Sequence, residues 1–164
     1  MDRVQVEAAL DELLREVRRS TRAEAGTVFL PEGKHLRFAV VQNDFLAERL
    51  GEPGMRRRLQ TTALPLDEQS LAGFVALTAE MVNVANSYEL SQEPDARFNR
   101  QVDMRTGYVT CSVLAVPIVA SERVVGVLEL LNPIDDAAIV PFRPEDEVAA
   151  QQIATRMASV IGTD

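Results

Sequence analysis

The sequence predicts an α+β domain in which an antiparallel sheet carries helices on both of its faces. The chain opens and closes in amphipathic helical patterns, and between them lie pairs of β-rich runs joined by short polar turns. The second pair is apolar almost throughout. A strand covered on one face alternates apolar and polar residues, so a nearly continuous apolar run calls for cover on both.

Each element follows from its own pattern. In residues 2–19, Val6, Leu10, Leu13, Leu14 and Val17 recur at steps of three and four, the spacing of an amphipathic helix. Residues 26–30 and 36–41 are β-rich and flank Pro31-Glu-Gly-Lys-His35, which carries turn chemistry, so a hairpin is expected. A short helix is expected over 44–50, and Gly51-Glu-Pro-Gly54 predicts a break followed by a loop. Ser70 is placed to cap a helix over 71–78, its hydroxyl accepting an otherwise orphaned backbone N–H. Residues 81–84 read as a short strand, and 95–105, with Phe98 and Val102 four apart, as a helix ending near Gly107. Residues 111–119 and 124–131, joined by Ala120-Ser-Glu-Arg123, predict the two central strands. Pro144 suits a first helical turn, Glu145, Asp146 and Glu147 sit at the positive end of the dipole, and Ile153, Met157, Val160 and Ile161 share a face. A single domain over 1–164 is expected, divided into an N-terminal helix (1–21), a sheet and pocket region (22–143) and a C-terminal helix (144–161).

Composition narrows the chemistry. With 164 residues, 46% hydrophobic and 26% charged, the chain can bury roughly 70% of its unfolded surface and needs no staple. One cysteine, Cys111, leaves no internal disulfide, and one histidine, His35, removes most transition-metal sites. A net charge of -8 opposes a phosphate backbone or an anionic membrane, so neither nucleic acid nor membrane is expected as a partner. The Arg56-Arg57-Arg58 run reads as solvated surface. The N-terminus lacks the apolar core of a signal peptide and no uncharged apolar run reaches membrane-spanning length, which predicts a cytoplasmic protein.

No constellation for catalysis stands out. The histidine lies in a turn, Cys111 has no resolving cysteine, and Gly-rich phosphate loops are absent, so the expectation is a non-enzyme without cofactor or metal. Asp135-Asp136 and Glu145-Asp146-Glu147 read as a turn and a helix start. Thr27, Gln42, Asn43, Asn86, Asn99, Asp103, Thr106, Thr110, Ser112 and Glu129 remain, polar groups on otherwise apolar elements, which suit recognition better than bond breaking. In Glu68-Gln-Ser-Leu-Ala-Gly-Phe74 the free N–H groups of a helix N-terminus and the small Ala72 and Gly73 would admit a phosphate, or would simply serve capping and tight packing. Glu129, inside an apolar strand, either has a buried partner or lines a cavity.

These residues carry a resemblance. The stretches Ala25-Gly-Thr-Val-Phe-Leu30, Gln42-Asn-Asp44, Ser70-Leu-Ala-Gly-Phe-Val-Ala76, Phe98-Asn99 with Val102-Asp103, Thr106-Gly-Tyr108 and Val125-Gly-Val-Leu-Glu-Leu-Leu-Asn132 together resemble a GAF domain, most closely the cyclic-nucleotide-binding type of phosphodiesterases and bacterial adenylyl cyclases. The resemblance covers about residues 22–161. It implies a regulatory domain that binds a small ligand, cAMP or cGMP, and signals through its terminal helices to a partner or fused effector; each of those helices has an apolar face wide enough to pack on the sheet and on a second copy, so a homodimer is expected. The cyclic phosphate would sit at Leu71 and Ala72, and purine and ribose contacts carry over to Thr27, Asn99, Asp103, Thr106, Thr110 and Glu129. An aromatic-acidic pair of some relatives aligns with Val41 and Gln42, and Asn86 stands where many have Asp. The family's Asn-Lys, Phe, Asp-Glu pattern reads Asn132-Pro133, Phe142, Asp146-Glu147, so its Lys–Asp ion pair cannot form from these positions. The alternative is a ligand-free dimerisation module with a vestigial pocket. An enzyme of the methionine-sulfoxide-reductase kind, which shares the GAF fold, has little support from one cysteine.

Overall fold

The computed structural model describes residues 1–60, 63–85 and 108–162. Helix α1 (Arg3–Thr21) starts at Asp2, whose carboxylate accepts from Gln5 N at 2.9 Å while the Gln5 side chain accepts from Asp2 N at 3.0 Å. Its predicted stripe is buried at Leu10, Leu13, Leu14 and Val17, and it stops at Arg22, in the left-handed region. Strands β1 (Ala23–Glu32) and β2 (His35–Asn43) form the expected hairpin, with pairing carried through Pro31–Leu36 and Glu32–His35, so only Gly33 and Lys34 turn.

Helix α2 (Asp44–Gln60) departs from expectation. Gly51, at φ 73° and ψ 157°, kinks the chain, as predicted, but helix resumes beyond it where a loop was expected. Pro53 tolerates the first turn of the new segment because its missing N–H has no partner there to lose. Met55 and Leu59, four apart, then bury together while Arg56, Arg57 and Arg58 stay exposed. That short apolar pair outweighs the Gly and Pro signals that argued for a loop.

The remaining elements are β3 (Ala63–Pro65), α3 (Leu71–Thr78), β4 (Val82–Val84), β5 (Val113–Ala120), β6 (Arg123–Asp135), β7 (Ala138–Ile139) and α4 (Pro144–Ile161). The helix expected over 95–105 lies outside the described residues. The strand order is β3-β2-β1-β6-β5-β4, every pairing antiparallel, with β7 folded onto the end of β6. Of the two strands expected at the centre only β6 is central, with β1 as its neighbour. β5 lies one place in from the edge. Its apolar run reflects burial on both faces rather than position in the order.

The sheet separates two cores. On one face Leu10, Leu14 and Val17 of α1 and Ala150, Ile153, Ala154 and Met157 of α4 pack on Val28, Val40, Leu114, Leu128 and Leu130. On the other, Leu46, Met55 and Leu59 of α2 and Leu71, Ala72 and Val75 of α3 pack on Phe29, Val41, Val113, Ala115 and Val127. The terminal helices therefore share one face and the internal helices the other. Leu14 is fully buried. Truncation to Ala should lower the unfolding free energy by about 2–5 kcal/mol, read as a fall in the urea midpoint at unchanged slope.

Candidate ligand-binding site

Strand register decides which predicted residues meet. Thr27 of β1 stands opposite Val41 of β2 on one side and Glu129 of β6 on the other, and Glu129 stands opposite Ala115 of β5. Alternation places this row on the face covered by α2 and α3, because Ala25 and Phe29, and Val127, belong to that core. Thr27 is 7% exposed and Glu129 3%, so a hydroxyl and a carboxyl lie side by side in an apolar layer. A buried carboxyl beside a hydroxyl offers acceptors and a donor at fixed positions, which is what orients a small polar ligand.

The structure sends Gln42 elsewhere. One residue past Val41, it points to the opposite face, where Nε2 donates to the Asp11 main-chain and side-chain oxygens, both at 2.9 Å, and Oε1 accepts from Arg18 Nη1 at 2.9 Å. It fastens β2 to α1. Asn43 caps α2, accepting from Leu46 N at 3.0 Å. Thr110 is buried ahead of β5. Asn86, Asn99, Asp103 and Thr106 lie outside the described residues.

Leu71 and Ala72 begin α3 on the same face as the Thr27–Glu129 row, and both are buried. Ser70 caps them as predicted, its Oγ accepting from Gly73 N at 3.0 Å. Gly73 has a separate reason to be glycine: a Cβ there would lie 1.9 Å from the Asp67 carbonyl oxygen. The small residue serves tight packing of the 67–70 turn, and the anion-site reading rests on Leu71 and Ala72 alone.

The sequence profile of the GAF domain matches residues 5–161. This chain belongs to the GAF domain family. It is 29% identical over 159 residues to a probable 3′,5′-cyclic phosphodiesterase of Caenorhabditis elegans, a match covering 93% of the chain and 20% of that protein. It is 34% identical over 120 residues to a cGMP-specific 3′,5′-cyclic phosphodiesterase of Drosophila virilis, covering 68% of the chain and 12% of the relative. The chain thus spans a small part of the curated relatives it matches. Among solved structures, the GAF domain of an Acinetobacter phosphoenolpyruvate-protein phosphotransferase superposes with a TM-score of 0.71 at 19% identity, covering 95% of this chain and 81% of that one. A type II free methionine-R-sulfoxide reductase from Thermoplasma acidophilum gives 0.70 at 13% identity, covering 97% and 94%. These likenesses establish the fold.

In this GAF domain the Asn, Phe, Asp-Glu residues brace the frame. Asn132 is fully buried at φ 53°; its Oδ1 accepts from Cys111 N and Ser112 N at 2.8 and 3.0 Å, and its Nδ2 donates to Tyr108 Oη and Val109 O, both at 2.8 Å. Phe142 enters the α1–α4 core. Asp146, only 2% exposed, accepts from Arg143 N at 2.8 Å and pairs with the Arg143 guanidinium at 3.5 Å. The side-chain hydrogen bond from Arg143 to Asp146, and then the charge of that carboxylate, raise the guanidinium pKa above its ordinary value. Pro133 therefore leaves Asp146 with a cation after all, supplied from the α4 N-terminus. Glu147 accepts from Asn83 Nδ2 at 2.7 Å, and the same amide reaches Phe142 O at 3.3 Å, tying β4 to the entry of α4.

Two substitutions follow. Gly73→Ala should cost about 1–3 kcal/mol by displacing the Asp67 carbonyl, seen as a lower thermal midpoint. Asn132→Ala leaves two N–H groups and a carbonyl without their buried partner and should cost about 2–4 kcal/mol by urea titration, more than a surface amide would.

Proposed function

We propose that this domain is a non-catalytic sensor that binds a cyclic nucleotide, cGMP or cAMP, between the sheet and the α2–α3 layer and passes the change outward through α1 and α4. The observation that carries this reading is the buried Thr27–Glu129 pair facing the side on which α3 begins, in a chain related to cyclic-nucleotide phosphodiesterases. A carboxylate and a hydroxyl match the edge of a purine and its ribose, and the α3 N-terminus supplies the positive end that a cyclic phosphate needs. Asn86, Asn99, Asp103, Thr106 and Thr110 complete the set by family resemblance. Gln42 drops out of it, because its amide is committed to α1.

A homodimer belongs to the same reading. Val4 on α1 and Val148 on α4 are 76% and 53% exposed, apolar residues on the helices that would carry the signal. No helix among the described residues is long and apolar enough to cross a membrane, and the proposed setting is the cytoplasm.

The test is thermal unfolding of protein stripped of small molecules, with and without cGMP and cAMP. A ligand present at about 100 times its dissociation constant adds about 2.7 kcal/mol and should raise the midpoint by about 5–10 °C. No shift with either nucleotide overturns the reading in favour of a dimerisation module. Glu129→Gln and Thr27→Val should each weaken binding about tenfold or more by calorimetry, since each removes a hydrogen-bonding state from a buried polar pair. Gln42→Leu should leave the affinity unchanged while lowering stability by about 1–3 kcal/mol.

A further inference from the structure

Resting on the site reading above, we propose that Tyr108 is a positioning residue whose hydroxyl ties the core under α2 and α3, the side that Thr27 and Glu129 face, to the end of α1. Asn132, three residues past Glu129 on β6, accepts from Ser112 N through its side-chain oxygen and donates from its side-chain nitrogen to Tyr108 Oη. Ser112 Oγ also donates to the Ala85 carbonyl, just past β4, at 3.1 Å. Tyr108 is 4% exposed, its ring tilted against Phe45 of α2 at 5.6 Å between centroids. Its Oη accepts from Asn132 Nδ2 and donates to Glu24 Oε1, both at 2.8 Å.

Glu24 is the link that makes this more than local bracing. It lies two residues past the left-handed cap of α1, and Arg18 of α1 donates to its carbonyl at 2.7 Å and to that of Ala23 at 3.2 Å. The Arg18 guanidinium also pairs with Asp44 at the start of α2, at 2.7 Å. A displacement of Tyr108 is therefore felt by the Glu24 side chain, by the turn that Arg18 clamps, and by the last turn of a terminal helix. Phe45 and the carboxylate fix the ring and the hydroxyl separately, so packing and coupling are separable by substitution. Tyr108→Phe keeps the ring against Phe45 and removes only the hydroxyl. Glu24→Gln keeps an acceptor oxygen for Tyr108, whereas Glu24→Ala does not.

The experiment is amide hydrogen exchange on the full chain without nucleotide, comparing wild type with these variants. Tyr108→Phe and Glu24→Ala should exchange about fivefold faster in residues 109–112 and also in the last turn of α1, and Glu24→Gln should stay within about twofold of wild type. Acceleration confined to residues 109–112, or an undisturbed α1 in Tyr108→Phe, overturns the proposal. Calorimetry with cGMP and cAMP supplies the second readout: Tyr108→Phe should bind the recognised nucleotide about fivefold more weakly and Glu24→Gln normally. Equal affinity of Tyr108→Phe and wild type also overturns it. A wild type that binds neither nucleotide counts against the site reading of the preceding section, while the exchange comparison still decides the positioning role by itself.

Discussion

The side-chain amide of Asn132 is the contact on which the arrangement of the site depends. It sits at the far end of the central strand β6, fully buried, at a positive φ that an asparagine tolerates better than most residues. Its oxygen takes the two N–H groups of Cys111 and Ser112, and its nitrogen serves Val109 and Tyr108. An aspartate could supply only the acceptor half of that pattern, and a leucine neither half. The approach to β5, the placement of Tyr108 and, through Tyr108, the hold on Glu24 all descend from the residue that opens the Asn132-Pro133, Phe142, Asp146-Glu147 pattern.

Arg18 plays the matching part on the helix side. Its guanidinium reaches two carbonyls of the α1–β1 turn, the Gln42 side chain of β2 and Asp44 of α2. At 12% exposure it is largely withdrawn from water, where a charge is tolerated because its donors are satisfied and a carboxylate lies 2.7 Å away. Arginine suits this corner because its planar fork points at several acceptors at once, which the single ammonium of a lysine does not match. Arg18 and Asn132 lie at the same end of the sheet. There β1 begins, β2 and β6 end, and the chain leaves β4 and returns toward β5.

What the sequence made legible follows from how local each signal is. The α1 stripe, the Ser70 cap, the β1–β2 hairpin and the α4 start are each written within a few residues, and each appears where expected. The second half of α2 was hidden because Gly51 and Pro53 are strong local breakers, whereas Met55 and Leu59 offer only one apolar pair in compensation. The misplacing of β5 as central shares a different cause: composition reports burial, and a strand beside the edge can be as buried as one in the middle. Sequence alone does not say which of Val41 and Gln42 faces α2 and α3, because one step along a strand reverses the side chain, and the pairing of Thr27 with Val41 decides it. Nothing near Gln42 in sequence announces Asp11 or Arg18, more than twenty residues away.

The sheet itself poses the functional problem. Thr27 and Glu129 face α2 and α3, while α1 and α4 pack on the reverse side, and the intervening layer is closely filled by Val28, Leu128 and Leu130. A close-packed layer transmits displacement poorly unless an element has two arrangements, so an event on one face reaches the other most directly around the strand ends. Thr27 is three residues from Glu24, and Glu129 is three residues from Asn132. The polar pair thus stands just inside the end of the sheet where Tyr108, Glu24 and Arg18 join its two sides. Helix α4 is tied to β4 by another route, Asn83 Nδ2 donating to Glu147 in its first turn and to the Phe142 carbonyl just before it. The two terminal helices are therefore anchored to different parts of the half that α2 and α3 cover, and a displacement there that moved β4 and Tyr108 unequally would shift α1 against α4.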